Sequence, residues 1–246
     1  MNRFAGIIGA AGNQGEREER LLKAIAGPDT IISHPRPEVS IGWSGISDLI
    51  GEIYTKECFA ITYGSAHGIA GTKKPEVSVD DIDKLASIIC QRIASGKRLL
   101  DNIAGSFIAL AGKNNAFTLA GDPSGNRNPY FTITENELAF SNHPLVCASL
   151  QYNPSVDRGF EDFLLVYGFH PDNLTPYKDV RQLPKGCCLK NENGRWTIEP
   201  VSSVSDDEDN EDIPESEESL YDKLYEKLLK ATEDQLASAS EVGVLL

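Results

Sequence analysis

The sequence predicts an α+β protein, because helical periodicity and strand-like alternation occur along the same stretch of chain. Residues 79–94 carry apolar side chains three and four positions apart, which is typical of an amphipathic helix ending before Gly96. Residues 105–111 and 116–121 are rich in β-forming residues and flank the turn GKNN, which predicts a hairpin. A second hairpin is expected from residues 129–134 and 138–141.

The same two patterns predict the shorter elements. Strands are expected at residues 4–9, 39–43, 58–62, 187–190 and 195–199, and helices at residues 16–25 and 161–167.

The C-terminal part changes character at an acidic run. Residues 205–212 contain six acids and no base, so we expect a solvated spacer, with a metal or protein docking site as the less favoured alternative. After this spacer, Leu220, Leu224 and Leu228 predict one apolar face of a helix ending near residue 238. Residues 242–246 are continuously apolar, as in a buried parallel strand. We expect this helix and strand to open a second, α/β domain.

Composition excludes several classes of function. The net charge of −14 over 246 residues argues against nucleic acid and anionic membranes as partners. No apolar stretch is long enough to span a membrane, and the first residues do not resemble a signal peptide. The five cysteines show no CxxC spacing, and neighbours such as Cys187 and Cys188 form only strained disulfides. We therefore expect free thiols and a cytoplasmic protein.

Five segments, in order, resemble the asparagine synthetase family. They are LDNIAGSF at 100–107, GDPSGNRNPYF at 121–131, LAFS at 138–141, YGFHP at 167–171 with YKDVRQLPKG at 177–186, and EVGVLL at 241–246. In the family, the last of these leads into the loop that binds ATP. One motif alone would be weak evidence, whereas the ordered set is specific.

The resemblance implies a four-layer αββα sandwich of the N-terminal-nucleophile hydrolase type. It implies a class II glutamine amidotransferase-like domain at residues 1–204, an acidic linker at 205–218, and the truncated start of an ATP-pyrophosphatase domain at 219–246. The parent protein would be an ATP- and Mg-dependent amide-forming ligase. Its expected partners are an asparagine-synthetase-like C-terminal domain or subunit and further copies of itself, as a homo-oligomer.

The catalytic residue of such a domain is missing from the matching position. These enzymes attack glutamine with an N-terminal cysteine whose own α-amine acts as the base. The family opening, cysteine-glycine-isoleucine-x-glycine, matches AGIIG, so Ala5 followed by Gly6 occupies the nucleophile register. Four residues precede Ala5, and the residue after the initiator methionine is Asn2. The resemblance therefore implies a domain without glutaminase chemistry.

The substrate-binding positions also depart from the family. Its asparagine-glycine-glutamate stretch, which supplies part of the oxyanion hole, matches Tyr63, Gly64 and Ser65, where only the glycine is kept. The arginine that holds the glutamine carboxylate would fall within residues 41–46, which contain no cation. We identify no catalytic residue and no metal site, and we treat Ala5, Gly6 and these three positions as a degenerate glutamine site.

Other candidate residues have simpler structural explanations. His67 could serve as a base, but no nucleophile is evident beside it. Cys58 and Cys90 fit small buried hydrophobic positions, and Cys187 with Cys188 lacks further metal ligands. Asp122 and Arg127 are expected to pair across the glycine-containing loop, in a structural role.

Three functions remain open from the sequence. The first is a degenerate domain that scaffolds a synthetase. The second is the glutamine-hydrolysing half of a true asparagine synthetase. The third is a non-enzymatic module that binds another ligand in the old glutamine pocket.

Overall fold

Two six-stranded antiparallel sheets form the centre of the molecule. The computed structural model describes residues 2–45, 47–69, 82–101, 103–134, 137–169, 173–192, 194–201 and 216–236. The first sheet contains β1 (Arg3–Ile8), β2 (Ile31–Arg36), β3 (Val39–Ser44), β8 (Tyr130–Ile133), β9 (Leu138–Ser141) and β10 (Arg181–Gln182), in the order β10-β8-β9-β1-β3-β2. The second contains β4 (Ile50–Tyr54), β5 (Cys58–Ile69), β6 (Ile103–Lys113), β7 (Ala116–Gly121), β11 (Cys187–Glu192) and β12 (Arg195–Pro200), in the order β12-β11-β7-β6-β5-β4.

Helices cover the outer faces of both sheets. The helices are α1 (Gln14–Ile25), α2 (Ile82–Ala94), α3 (Pro144–Ser149), α4 (Arg158–Tyr167) and α5 (Glu217–Leu236). Helices α1 and α3 pack on the first sheet, and α2 packs on the second. The layer order is therefore αββα, which confirms the layers that the resemblance implied. The described residues do not test the prediction of a second, α/β domain.

The main core lies between the two sheets. It is built from the inward-facing side chains of both, including Phe4, Ile41 and Phe140 from the first and Phe59 and Leu110 from the second. Each of these five side chains is fully buried. A second apolar layer joins α2 to the outer face of its sheet, and a third joins α1 and α3 to theirs. Burial on both faces explains why β1 and β6 are almost continuously apolar.

Most of the predicted elements are confirmed, with small shifts in their bounds. Both hairpins, the helices beginning near residues 16 and 161, and the helix ending at residue 94 are present. The strand predicted at residues 58–62 is longer and runs to Ile69. Strands β2, β4 and β10 and the short helix α3 were not predicted. The tip of the second hairpin and residues 79–81 of the expected helix lie outside the described residues.

The prediction that all cysteines are free thiols is wrong for two of them. Cys58 on β5 and Cys90 on α2 form a disulfide. The strand and the helix face that we expected to bury these residues pack against each other, which brings their Cα atoms to 6.1 Å. Cys147, Cys187 and Cys188 are free.

Helix α5 confirms the helix expected after the acidic run, but its apolar side chains are not covered. Leu220, Leu224 and Leu228 are each more than half exposed. The spacer predicted at 205–218 lies largely, and the strand predicted at 242–246 wholly, outside the described residues. Within the part of the chain that the structure describes, no helix is long and apolar enough to cross a membrane.

Candidate functional site

The nucleophile register lies inside strand β1, and its side chain faces away from the space between the sheets. Ala5 is fully buried and packs with Ile7, Leu21 and Ile25 in the layer between the first sheet and α1. Because side chains alternate along a strand, Phe4 points the other way, into the core between the sheets. The sequence predicted the position of Ala5 in the motif but not the face on which it lies.

The two residues before Ala5 extend the strand and are held in place. In the antiparallel ladder, Arg3 is opposite Ser44 and Phe4 is opposite Trp43. The Arg3 guanidinium donates to the carbonyls of Ala24 (3.3 Å) and Ile25 (2.6 Å). It thereby supplies hydrogen-bond donors and a positive charge to the C-terminal end of α1. The backbone nitrogen of residue 5 is therefore an amide within a paired strand, and it cannot act as an amine base.

Asn142 links the start of β1 to strand β5 of the second sheet through hydrogen bonds. Its Oδ1 accepts from the Phe4 backbone N–H at 2.9 Å, and its own backbone N–H donates to the Phe4 carbonyl at 2.9 Å. Its Nδ2 donates to the Asn2 carbonyl at 3.1 Å and to the Tyr63 hydroxyl at 3.3 Å. One amide side chain thus ties β1 of the first sheet to β5 of the second. Nothing in the sequence had pointed to Asn142.

Two aromatic rings fill the region between the sheets at this point. The rings of Phe4 and Tyr63 are stacked, with centroids 5.1 Å apart and planes inclined by 7°. The Arg127 guanidinium lies over the Tyr63 ring, 5.0 Å from its centroid. Phe4 and Tyr63 are almost completely buried. The space between the two sheets is therefore filled by these rings at this point.

Gly64 and Gly6 are both required by close packing. Gly64 has φ +131°, and a Cβ there would lie 2.2 Å from the Ser106 carbonyl oxygen and 2.8 Å from the Cα of Phe107. A Cβ on Gly6 would lie 2.4 Å from the Phe140 ring. These glycines are explained by the approach of strand to strand and ring to strand. Ser65 is opposite Ser106 in the β5–β6 ladder.

The expected pairing of the Asp122 and Arg127 side chains is wrong. The buried Asp122 carboxylate accepts from the backbone N–H groups of Asn126 (3.1 Å) and Arg127 (2.7 Å), which closes the loop locally. The Arg127 side chain is thereby free to turn towards the second sheet, where its Nε donates to Ser106 Oγ at 3.1 Å. Asp122 is structural, as predicted, whereas the Arg127 side chain contacts Tyr63 and Ser106.

The cysteines Cys188 and Cys147 are buried by packing and are not part of this arrangement. Cys188 is buried against the α2 layer, and burial raises the pKa of its thiol to about 11. Burial also raises the pKa of Cys147 well above its usual range. Both thiols are therefore poor nucleophiles at neutral pH. The His67 side chain lies outside the described residues.

The structure brings together only some of the five predicted site positions. Tyr63, Gly64 and Ser65 follow one another on β5, and Phe4 joins Tyr63 to β1. The Ala5 side chain belongs to a different apolar layer from Tyr63. The described arrangement offers a stacked aromatic pair, an amide clamp and a guanidinium. These groups hold the two sheets together, and none of them is an activated nucleophile.

Comparisons with known proteins concern the fold alone. No protein-family model and no curated protein sequence matches this chain. Two similar solved structures are glutamine phosphoribosylpyrophosphate (PRPP) amidotransferase from B. subtilis complexed with ADP and GMP, and a protein described as the allosteric regulatory enzyme of purine biosynthesis. The first has 11% identity and a TM-score of 0.41, and the second 12% and 0.45. Each alignment covers 82% of this chain and 49% of the other, so the chain spans about half the length of these proteins.

Proposed function

We propose that this chain is a catalytically inactive, glutaminase-like scaffold domain of an asparagine-synthetase-like, ATP-dependent amide-forming ligase. The main observation in support of an inactive domain is the position of the Ala5 side chain. Its side chain is fully buried under α1, on the opposite side of β1 from Tyr63. A nucleophile must reach its substrate, and this position offers neither a thiol nor access.

The occupied pocket supports the same conclusion independently. Substrate glutamine would have to displace the Phe4 ring, which is stacked on Tyr63 and tied through its backbone to Asn142. Opening this site would expose the buried Phe4 side chain, at a cost of roughly 1.5–3 kcal/mol. The packing of Phe4 on Tyr63 therefore stabilises the form in which this region is closed to glutamine.

The ligase assignment rests on the sequence resemblance. Members of the asparagine synthetase family without the cysteine include β-lactam synthetases, carbapenam synthetases and lasso-peptide cyclases. They adenylate a carboxylate and use an amine already present in the substrate in place of ammonia. By this proposal, ATP and Mg bind in the synthetase domain, and the present domain supports that domain structurally.

Glutamate release from glutamine tests the proposal. The purified chain is incubated with glutamine, and we expect no turnover above the buffer blank. The Ala5→Cys variant should be equally inactive, because the new thiol would lie under α1 and Phe4 would still fill the pocket. Losing the nucleophile of such a site generally removes the covalent route.

Two outcomes would contradict the proposal. Turnover by the unmodified chain that a thiol alkylator abolishes would favour the glutamine-hydrolysing half of a true synthetase. Saturable binding of glutamine or another small molecule, perturbing Tyr63 and Arg127 without turnover, would favour a binding module. Both measurements use the same purified chain.

A further inference from the structure

A small cavity lies on the outer face of the first sheet, on the side away from Tyr63. Thr132 of β8 and Ala139 of β9, which are opposite each other in the ladder, form its floor. Helix α1, the segment that follows α3 and the turn before β10 supply its walls, and its volume is about 220 Å³. Sites for drug-sized ligands measure roughly 300–1,000 Å³, so this cavity suits a smaller molecule.

Arg20, on α1, has all the N–H groups of its guanidinium engaged by the protein. Its two terminal nitrogens donate to the Glu137 carboxylate at 2.9 and 2.6 Å, and the first also donates to the Tyr152 hydroxyl at 3.2 Å. Its Nε donates to the Leu150 carbonyl at 3.0 Å, and the second terminal nitrogen donates to the same oxygen. These bonds use every donor that a guanidinium has. Arg20 therefore neutralises Glu137 and has no donor left for a carboxylate or phosphate of a ligand.

Asp179 gives the cavity a negative charge that the other lining residues do not offset. The charged side chains of its lining are Arg20, Glu137 and Asp179, and the first two pair with each other. Among the residues that the structure describes, none donates a hydrogen bond to the Asp179 carboxylate or forms an ion pair with it. Residue 179 has φ +67°, which glycine adopts without strain and which aspartate and asparagine adopt more readily than most other residues. The sequence therefore places a carboxylate where glycine would be the least strained residue.

The uncharged polar groups of the lining add hydrogen-bond acceptors. The Tyr152 hydroxyl donates to a carboxylate of α1 at 2.6 Å, and the Thr134 hydroxyl donates to a backbone carbonyl at 3.3 Å, so both oxygens can only accept from a ligand. Gln151 Nε2 donates to Thr132 Oγ1 at 3.0 Å, which leaves the Gln151 carbonyl oxygen as an acceptor. A primary ammonium group matches such a lining, because it carries a positive charge and three N–H donors and has no acceptor.

We propose that this cavity binds a small primary amine that has no carboxylate group. The ammonium group donates to the Asp179 carboxylate and to the neutral acceptors of the lining, and a short alkyl chain fills the rest of the space. Amino acids, glutamine included, do not fit, because the one cation of the described lining is already saturated. This inference is independent of the proposed function, which concerns the opposite face of the same sheet.

Heteronuclear NMR of the full chain, titrated with butylammonium chloride at neutral pH and low salt, tests the proposal. We expect saturable shifts of the backbone amides of Thr132, Gln151 and Tyr152, and no shifts there with sodium butyrate at the same concentrations. D179N should bind butylammonium roughly tenfold more weakly or worse, because a charge-assisted hydrogen bond is lost while asparagine keeps the positive φ. D29N removes one charge from an exposed turn outside the cavity and should bind as the unmodified chain does.

Several outcomes would overturn the proposal. They are equal affinities of D179N and the unmodified chain for butylammonium, shifts that rise without saturation, and binding of butyrate at the same amides. The comparison of butylammonium with butyrate uses the unmodified chain, so it decides the charge preference without any variant. Tighter binding of N-acetyl-lysine methylamide would overturn the small-molecule assignment, because the site would then favour a lysine side chain of a protein. Shifts confined to Tyr63 and Arg127 would overturn it too and would count against the proposed function, so the two failures are distinguishable.

Discussion

Ala5 shows how one residue can match a motif and still be unable to perform its chemistry. The position of Ala5 in the motif follows from the sequence. The direction of its side chain depends on the pleat of β1 and on Arg3, which holds the strand against α1. The neighbouring Phe4 takes the inward position and stacks on Tyr63. Motif matching gives the position along the chain, but the face of the strand depends on which residues its neighbours bury.

At the same scale, Gly64→Ala should strongly destabilise the chain. Residue 64 has positive φ, and an added Cβ would meet backbone atoms of β6 that cannot move independently. We expect a loss of about 2–4 kcal/mol in the free energy of unfolding, measured by urea denaturation. Gly15→Ala on α1 is the control, since a Cβ there meets nothing within 4 Å. It should be neutral or stabilising by up to about 1 kcal/mol, and equal losses in both variants would contradict the account.

Among the elements, the sequence predicted those with strong periodicity and missed those at the edges. Helix α2 and the β6–β7 hairpin bury apolar side chains that recur regularly along the sequence. This periodicity is the pattern from which both elements were predicted. Strands β2 and β4 form edges of the sheets. One contains a proline and the other a glycine, which weaken the strand pattern. Helix α3 has only six residues and is determined by its packing on the first sheet.

The link between α2 and β5 provides a test at the scale of elements. Reducing the Cys58–Cys90 disulfide should lower the free energy of unfolding by about 2–4 kcal/mol, because it frees a closed loop in the unfolded chain. Thiol titration of the denatured, unreduced chain should find the three free cysteines, and all five after reduction. Cys187→Ser, at a half-buried free thiol, is the control and should change stability little. Five thiols without reduction would show that the disulfide does not form.

At the scale of the whole molecule, two helices leave apolar side chains in solvent. Leu165 and Val166 of α4 are 84% and 73% exposed, and the stripe on α5 is more than half exposed. Patches of this kind mark surfaces that contact other proteins. The expectation that the segment from residue 219 needs a partner, either a further domain or a second copy, stays a prediction.

We predict that the full chain self-associates through α5. Light scattering should give a dimer or larger species for the full chain and a monomer for a truncation ending at residue 204. Burying a leucine is worth roughly 1.5–3 kcal/mol, so L224E/L228E in the full chain should also give a monomer. K223E/K227E, on the same helix, is the charge-changing control that keeps the apolar stripe. Monomers throughout, with equal thermal stability, would contradict this prediction.

The central claim is that the nucleophile register is closed, and thiol accessibility tests it most directly. The Ala5→Cys variant is treated with iodoacetamide under native conditions, and labelling at residue 5 is followed by peptide mass spectrometry. Residue 5 is fully buried beneath α1, so we predict labelling there only after denaturation, with half-buried Cys187 labelled first. Rapid native labelling at residue 5, which glutamine slows, would contradict the account.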